Sequence, residues 1–337
     1  EYGMFISFDD GQNWQVFQQN LPVTPITDIK VHNEDLVLST MGRSFWVLDN
    51  LTPLHQNLDK NNGSNIQLFK PKDAYRMRIR GTSSKSIPNY PSSSVSIDYV
   101  LDKDVKSPII LEILNSKNEV IRSFSSEKPK KDSLNREVDM ATGFFFQGYS
   151  PNLKTKKGIH RFKWDMRHHG IWDKDATRSG RSGPMVVPGE YSVRMTIGKE
   201  TNVQKFNVLI NPNVEKSGVT QEDLEAQEEL TLKIRDLQSE AKQLAFEIQT
   251  RKKALEKIEK SGLPTARGKG KEIEKLSLLN KELTTQSGRY MKPMLLDQMR
   301  YLASMLDRAD QRPGRDAYER YEELKRWLKQ ISHNLKS

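Results

Sequence analysis

Near Val219 the hydrophobic period of this chain changes, and that change excludes any single-layer or single-class fold. Before it, apolar residues alternate in short runs broken by turn signals. After it, Leu224, Leu230, Ile234, Leu237, Leu244, Ile248, Leu255 and Ile258 recur largely at three-, four- and seven-residue steps. A period of two belongs to strands and a period near 3.6 to helices, so a β portion must be followed by a separate α portion. Thr220 followed three residues later by Asp223 reads as a capping box with Asp in place of Glu or Gln. One amphipathic helix of about 40 residues is predicted from there, ending at Ser261-Gly262 before Pro264. Further helices are predicted over about 271–286, 292–309 and 314–335, with a flexible turn from Thr265 to Gly270 before the first of them. Their short connections predict an antiparallel helical bundle over 219–335. Its apolar faces are Leu296, Met299, Leu302, Ala303 and Leu306 on one helix, and Tyr318, Tyr321, Leu324, Leu328 and Ile331 on the next. The connection at 212–218, with Pro212 and Gly218, predicts that the bundle unfolds separately from what precedes it.

The β portion divides in two. Over 1–50, Ile26–Val31 alternates, and Leu36–Thr40 and Phe45–Leu48 flank the turn Met41-Gly42-Arg43-Ser44. Short strands at this spacing suggest propeller blades or a sandwich. Residues 51–65, opening Leu51-Thr52-Pro53 and then rich in Asn and Asp, read as a linker. Over 66–211 strands are predicted at 66–70, 74–80, 95–101, 108–114, 118–124, 158–165, 189–198 and 202–210, which suits an immunoglobulin-like β-sandwich. The stretches 125–157 and 170–187 read as long loops.

Composition removes several function classes. The chain has 337 residues, a net charge of +10 and no cysteine. Disulfide scaffolds, thiolate metal sites and cysteine nucleophiles are therefore excluded. No apolar run approaches the roughly 20 residues of a membrane span. The positive excess is diffuse, +4 from Asn211 onward and +6 before it, whereas nucleic-acid binders concentrate charge on one face. No nucleic-acid partner is expected. Only six histidines are present and none lies in a His-Glu-x-x-His pattern, so no metal and no cofactor is expected.

The most specific local motif is Ser7-Phe8-Asp9-Asp10-Gly11-Gln12-Asn13-Trp14, in which Ser7, Asp9, Gly11 and Trp14 fit the Asp-box pattern. Its chemistry is local: Asp9 accepts turn amides, Gly11 supplies an unusual backbone conformation, and Trp14 is expected to pack beneath the hairpin. These four residues are therefore read as structural. The motif is followed by Leu21–Ile29 and by Asp35–Asp49, which contains Met41-Gly42-Arg43-Ser44-Phe45-Trp46-Val47-Leu48-Asp49. This resembles the last propeller blade of bacterial sortilin-like, Asp-box (bacterial neuraminidase repeat) proteins, often labelled glycosyl hydrolases. Their hairpin usually reads Gly-Thr-His-Gly-Arg-Gly-Phe-Trp-Val-Leu-Asp, so Ser39, Met41 and Ser44 depart from it. Arg161–Arg167 and Pro188–Val193 resemble the immunoglobulin-like module that follows such propellers, and Asp307–Gly314 resembles their helical tail. The resemblance implies an exported protein, secreted, periplasmic or at the cell surface, with 1–50 as a terminal propeller portion. The chain opens on Glu1 in a strand-like run and is read as a fragment whose N-terminus lies upstream.

Candidate chemistry is sparse. On an extended strand, Asp165, Arg167 and His169 share one face and form the one candidate binding cluster. Catalytic residues are not assigned: glycoside hydrolysis needs two carboxyl groups roughly 5–10 Å apart, and Asp9 and Asp10 diverge on a tight turn. Three functional readings stay open. The first is a non-catalytic accessory region that binds or assembles with protein or glycan. The second is part of a glycoside hydrolase whose active centre lies in upstream blades. The third is an intracellular protein-interaction scaffold.

Overall fold

The computed structural model describes residues 3–56, 66–78, 93–127, 147–150, 152–175, 181–260 and 269–337. It is a mixed β and α protein, with strands in several sheets followed by helices. The predicted order of β portion before α portion holds. The first strands, β1 (Phe5–Ile6) and β2 (Gln15–Val16), form a short antiparallel hairpin. Next, β3 (Ile26–His32), β4 (Asp35–Thr40) and β5 (Phe45–Leu48) form an antiparallel meander with β4 at its centre. Alternation along β4 turns Leu36 and Leu38 inward, where they meet Leu21 and Leu51 in a small core. Phe45 and Val47 on the opposite face are exposed, and so are Ile29 and Val31 of β3, which pair with Leu38 and Leu36 on the inner face but lie beyond the small core. Part of the expected linker is helical, α1 (Thr52–Gln56). Asn50 precedes it in an Asx turn, accepting from the Thr52 amide at 3.3 Å and the Thr52 hydroxyl at 2.5 Å. The remainder, 57–65, lies outside the described residues.

Two larger sheets share one core. A three-stranded sheet places β8 (Val95–Leu101) between β6 (Ile66–Leu68) and β12 (Gly158–Trp164). A six-stranded sheet runs β11 (Gln147–Tyr149), β10 (Val120–Ser125), β9 (Ile109–Leu114), β15 (Gly189–Ile197), β16 (Glu200–Leu209) and β7 (Ala74–Tyr75). Alternation explains the packing: Ile109, Leu111 and Ile113 of β9 and Val193, Met195 and Ile197 of β15 join Ile97, Tyr99, Trp164 and Phe206 in one buried cluster. Tyr99 closes this core, its hydroxyl bonding Lys154 O and receiving the Lys154 amide, both at 2.8 Å. Burial raises its pKa to about 12. The β11 strand falls within a stretch read as loop, and 128–146 of that stretch is outside the described residues. The other expected loop, 170–187, also contains a strand: β14 (Ser182–Met185) pairs with β13 (Arg167–His169).

The α portion has a short α2 (Pro212–Lys216), then α3 (Gln221–Lys260), α4 (Lys269–Leu283), α5 (Leu295–Leu306) and α6 (Arg315–Lys336). The capping box exists with Asp in the usual Glu place. Thr220 N–H donates to Asp223 Oδ2 at 3.0 Å, and Asp223 N–H to Thr220 Oγ1 at 3.2 Å. Ile234, Ile248, Leu276, Leu283, Met299, Leu324, Leu328 and Ile331 belong to one cluster drawn from all four long helices. Tyr318 departs from its expected place in the α6 face and is exposed, because α6 turns Ala317 inward at that level. The turn predicted after α3 lies mostly at 261–268, outside the described residues.

Sheets and helices meet through polar contacts that a freely hinged pair would lack. Arg76, 2% exposed, donates from Nε to Val186 O at 2.8 Å, and its Nη1 is ion-paired with Asp310 off hydrogen-bond geometry. Arg78 Nε bonds Asp310 Oδ1 at 2.5 Å. The buried Gln227 of α3 donates to Leu306 O at 2.8 Å and Ala309 O at 2.7 Å, and its Oε1 accepts from Arg76 and Arg78. Glu228 Oε1 accepts the Val187 amide at 3.1 Å and lies 2.8 Å from His168 Nε2. These contacts oppose the separate unfolding expected from the 212–218 connection.

Candidate binding cleft

The segment after β12 does not continue as a flat strand. Met166 takes a left-handed φ of 53°, which swings the backbone from β12 into β13. Asp165 therefore lies outside both strands, so alternation along one strand does not place it with Arg167 and His169 of β13. Asp165 Oδ2 accepts from Ser182 Oγ at 2.6 Å. Its Oδ1 is buried without a hydrogen-bond partner, an arrangement that costs about 1–3 kcal/mol when nothing fills it. Arg167 donates to Gly183 O at 2.9 Å and pairs with Asp307 Oδ2 at 3.0 Å. His169 turns away, with Nδ1 3.4 Å from Ile121 O. Burial first, and then the Arg235 charge, lower its pKa to about 3.

The backbones of β13 and β14 approach too closely for side chains at two positions. A Cβ on Gly183 would lie 2.2 Å from His169 O, and one on Gly170 2.0 Å from Arg181 O. This contact fixes Arg167 and Ser182 in the wall of a cleft of about 1020 Å³. The opposite wall comes from α3 and from α5 with the turn after it. Arg78, Arg167, Arg235, Lys242, Arg300 and Arg308 line it, with Asp165 and Asp307 as its carboxylates. Asp307 has both oxygens occupied, Oδ1 by Arg78 at 2.5 Å and Oδ2 by Arg167. Two of the three predicted binding residues thus enter one cleft, and His169 is not among its lining residues.

The residues from α3 and α5 were not singled out from the sequence as site residues. On an amphipathic helix, Arg235, Lys242 and Arg300 look like any solvated cation, and only the fold brings them beside β13. A usable signal did exist in Arg76 and Arg78: two arginines at strand spacing in a segment expected to be a strand call for carboxylates from elsewhere.

The hairpin from Ser7 to Trp14 is closed by local side-chain bonds. Asp9 accepts from the Asn13 amide at 2.8 Å, the Asn13 side chain at 2.5 Å and Ser7 Oγ at 2.8 Å. These bonds, the Asn13 side chain first, lower the Asp9 pKa. Gly11 has φ 89° and donates to Ser7 Oγ at 2.8 Å. Trp14 departs from expectation. Its indole N–H bonds Gly11 O at 3.0 Å, yet the residue is 64% exposed. Each strand of this hairpin is only two residues long, too short to cover the ring.

Among the described residues no group of three or more His, Asp or Glu is placed to hold a metal ion. No described helix is long and apolar enough to cross a membrane. Comparison of the chain with protein-family models and with curated protein sequences finds no match.

Proposed function

We propose that this chain is a non-catalytic binding and assembly region of an exported protein built on an Asp-box propeller, and that it recognises protein or glycan. In this reading residues 1–50 are the terminal propeller portion, 66–211 an immunoglobulin-like sandwich and 219–335 an antiparallel helical bundle. The observation that carries it is the cleft where strands β13 and β14 face helices α3 and α5. Clefts where two structural layers meet are the usual places for ligands. The lining argues for binding over hydrolysis. Glycosidase chemistry requires two available carboxyl groups. Here Asp307 is held by two arginines, which leaves Asp165 alone with an open oxygen.

The test is a binding screen of the purified chain against saccharides and peptides, run beside a turnover assay on aryl glycosides, sialosides included. Binding without turnover is expected, weakened by Arg167→Ala. Turnover abolished by one carboxylate-to-amide change would make the chain an enzyme. No binding to either class would remove the reading.

A further inference from the structure

The charges around the cleft can be paired off. At the rim each cation has its own carboxylate: Arg235 with Asp236, Lys242 with Asp173 and Arg300 with Asp297. Behind the wall Arg76 and Arg122 stand near Asp310, Asp165 and Glu228. Along the wall Arg78 and Arg167 share Asp307. Arg308 is left over. It is exposed, lines the cleft, and its side chain has no hydrogen bond or ion pair among the described residues. Among the described residues the cleft therefore holds one uncompensated cation in a setting of otherwise balanced charge.

The uncharged lining narrows the choice further. Ser93, Ser182, Thr231, Gln238 and Ser304 give hydroxyl and amide groups along the walls. Asp165 Oδ1 and Ser93 Oγ are buried without partners. A carboxylate oxygen accepts only, so it calls for a donor such as a hydroxyl, reached directly or through one water. A cationic ligand would supply a donor but would meet Arg78, Arg167 and Arg308. An acidic peptide would satisfy Arg308, but its donors toward Asp165 are single backbone amides flanked by further carboxylates, whereas a sugar ring presents several hydroxyls side by side.

We propose that the cleft takes an acidic saccharide, its carboxylate on Arg308 and its ring hydroxyls on the Asp165–Ser182 side. This inference rests on the reading of the cleft as a binding site. One carboxylate per sugar matches one uncompensated cation, and hydroxyls both donate and accept, as the mixed lining requires. A guanidinium–carboxylate contact is charge-assisted and can be bidentate, so it carries specificity as well as affinity.

Isothermal titration calorimetry at low salt can decide, with oligogalacturonate, its methyl ester and polyglutamate as probes. Oligogalacturonate is expected to bind, and its methyl ester, the same sugar without the charge, to bind at least ~10-fold more weakly. Arg308→Gln should produce a similar ~10-fold loss for the acid and little change for the ester. Arg308 is exposed and unpaired, so its variant should melt as the wild type does. Asp165→Asn, as a second variant, should weaken both saccharides. Equal binding of acid and ester would overturn the carboxylate assignment while leaving a glycan site. Acid binding unchanged by Arg308→Gln would overturn its placement. Polyglutamate binding with no saccharide binding would overturn the inference and leave the broader reading standing, whereas silence from all three probes would remove both.

Discussion

His169 is a residue whose buried position ties stability to pH. The unfolded chain protonates a histidine near pH 6.5, whereas in the folded protein burial and Arg235 hold His169 neutral down to about 3. The unfolded state therefore binds more protons in that window. Stability is fully present above about pH 6.5 and falls as pH drops toward 3. Thermal melts from about pH 7 to about pH 4 should show a declining midpoint, and His169→Gln should lose part of that decline. An unchanged slope in the variant would assign it to other groups. Gly183 gives a second test at this scale. The added methyl of Gly183→Ala has His169 O at 2.2 Å, so β13 and β14 must separate. The expected loss is about 1–3 kcal/mol, with weakened ligand binding because Arg167 donates to Gly183 O. A wild-type melt would show that the hairpin yields without cost.

At the scale of elements, stability should follow core size. The β3–β5 meander rests on four buried leucines, and β3 is exposed along most of its length. The strands of 95–114 are buried in the largest cluster. Hydrogen exchange should accordingly be faster over 26–48 than over 95–114, and equal protection would contradict this ranking. In the helices, Leu324 is almost fully buried among side chains of all four long helices. Leu324→Ala should cost about 2–5 kcal/mol by chemical denaturation. The elements that the sequence made legible are those whose own periodicity suffices: β8, β9, β15, β16 and α3 appear close to their expected bounds. The missed ones depend on partners. The strands β13 and β14 are short and visible only as a pair, with Gly183 inside β14, and β11 is recruited to the edge of β10. The same limit applies to the cleft. Asp165 and Arg167 could be selected as a charged cluster, but Asp307, Arg235 and Arg308 enter through tertiary packing. Trp14 shows the converse: a motif fixes the bonds within a hairpin, and neighbouring chain decides whether the ring is covered.

For the whole molecule, the buried pair of Arg76 and Asp310 makes the β and α portions energetically one object. Removing one member of a buried ion pair leaves the other charge uncompensated, at about 3–5 kcal/mol. Asp310→Asn should therefore destabilise the entire chain, with strand and helix signals lost in one transition. Two separate transitions in the wild-type protein would show that the polar interface contributes little. The same aspartate also has a consequence in time. Arg78 and Asp310, in direct contact, are 232 positions apart, so a ribosome adding roughly 5–20 residues per second takes on the order of 10–50 s to travel between them. Throughout that interval the edge of the sheet carries two guanidinium groups with no carboxylate to meet them. The nascent β portion must keep that edge solvated or loosely closed, and its final packing waits on nearly the last helix to be synthesised.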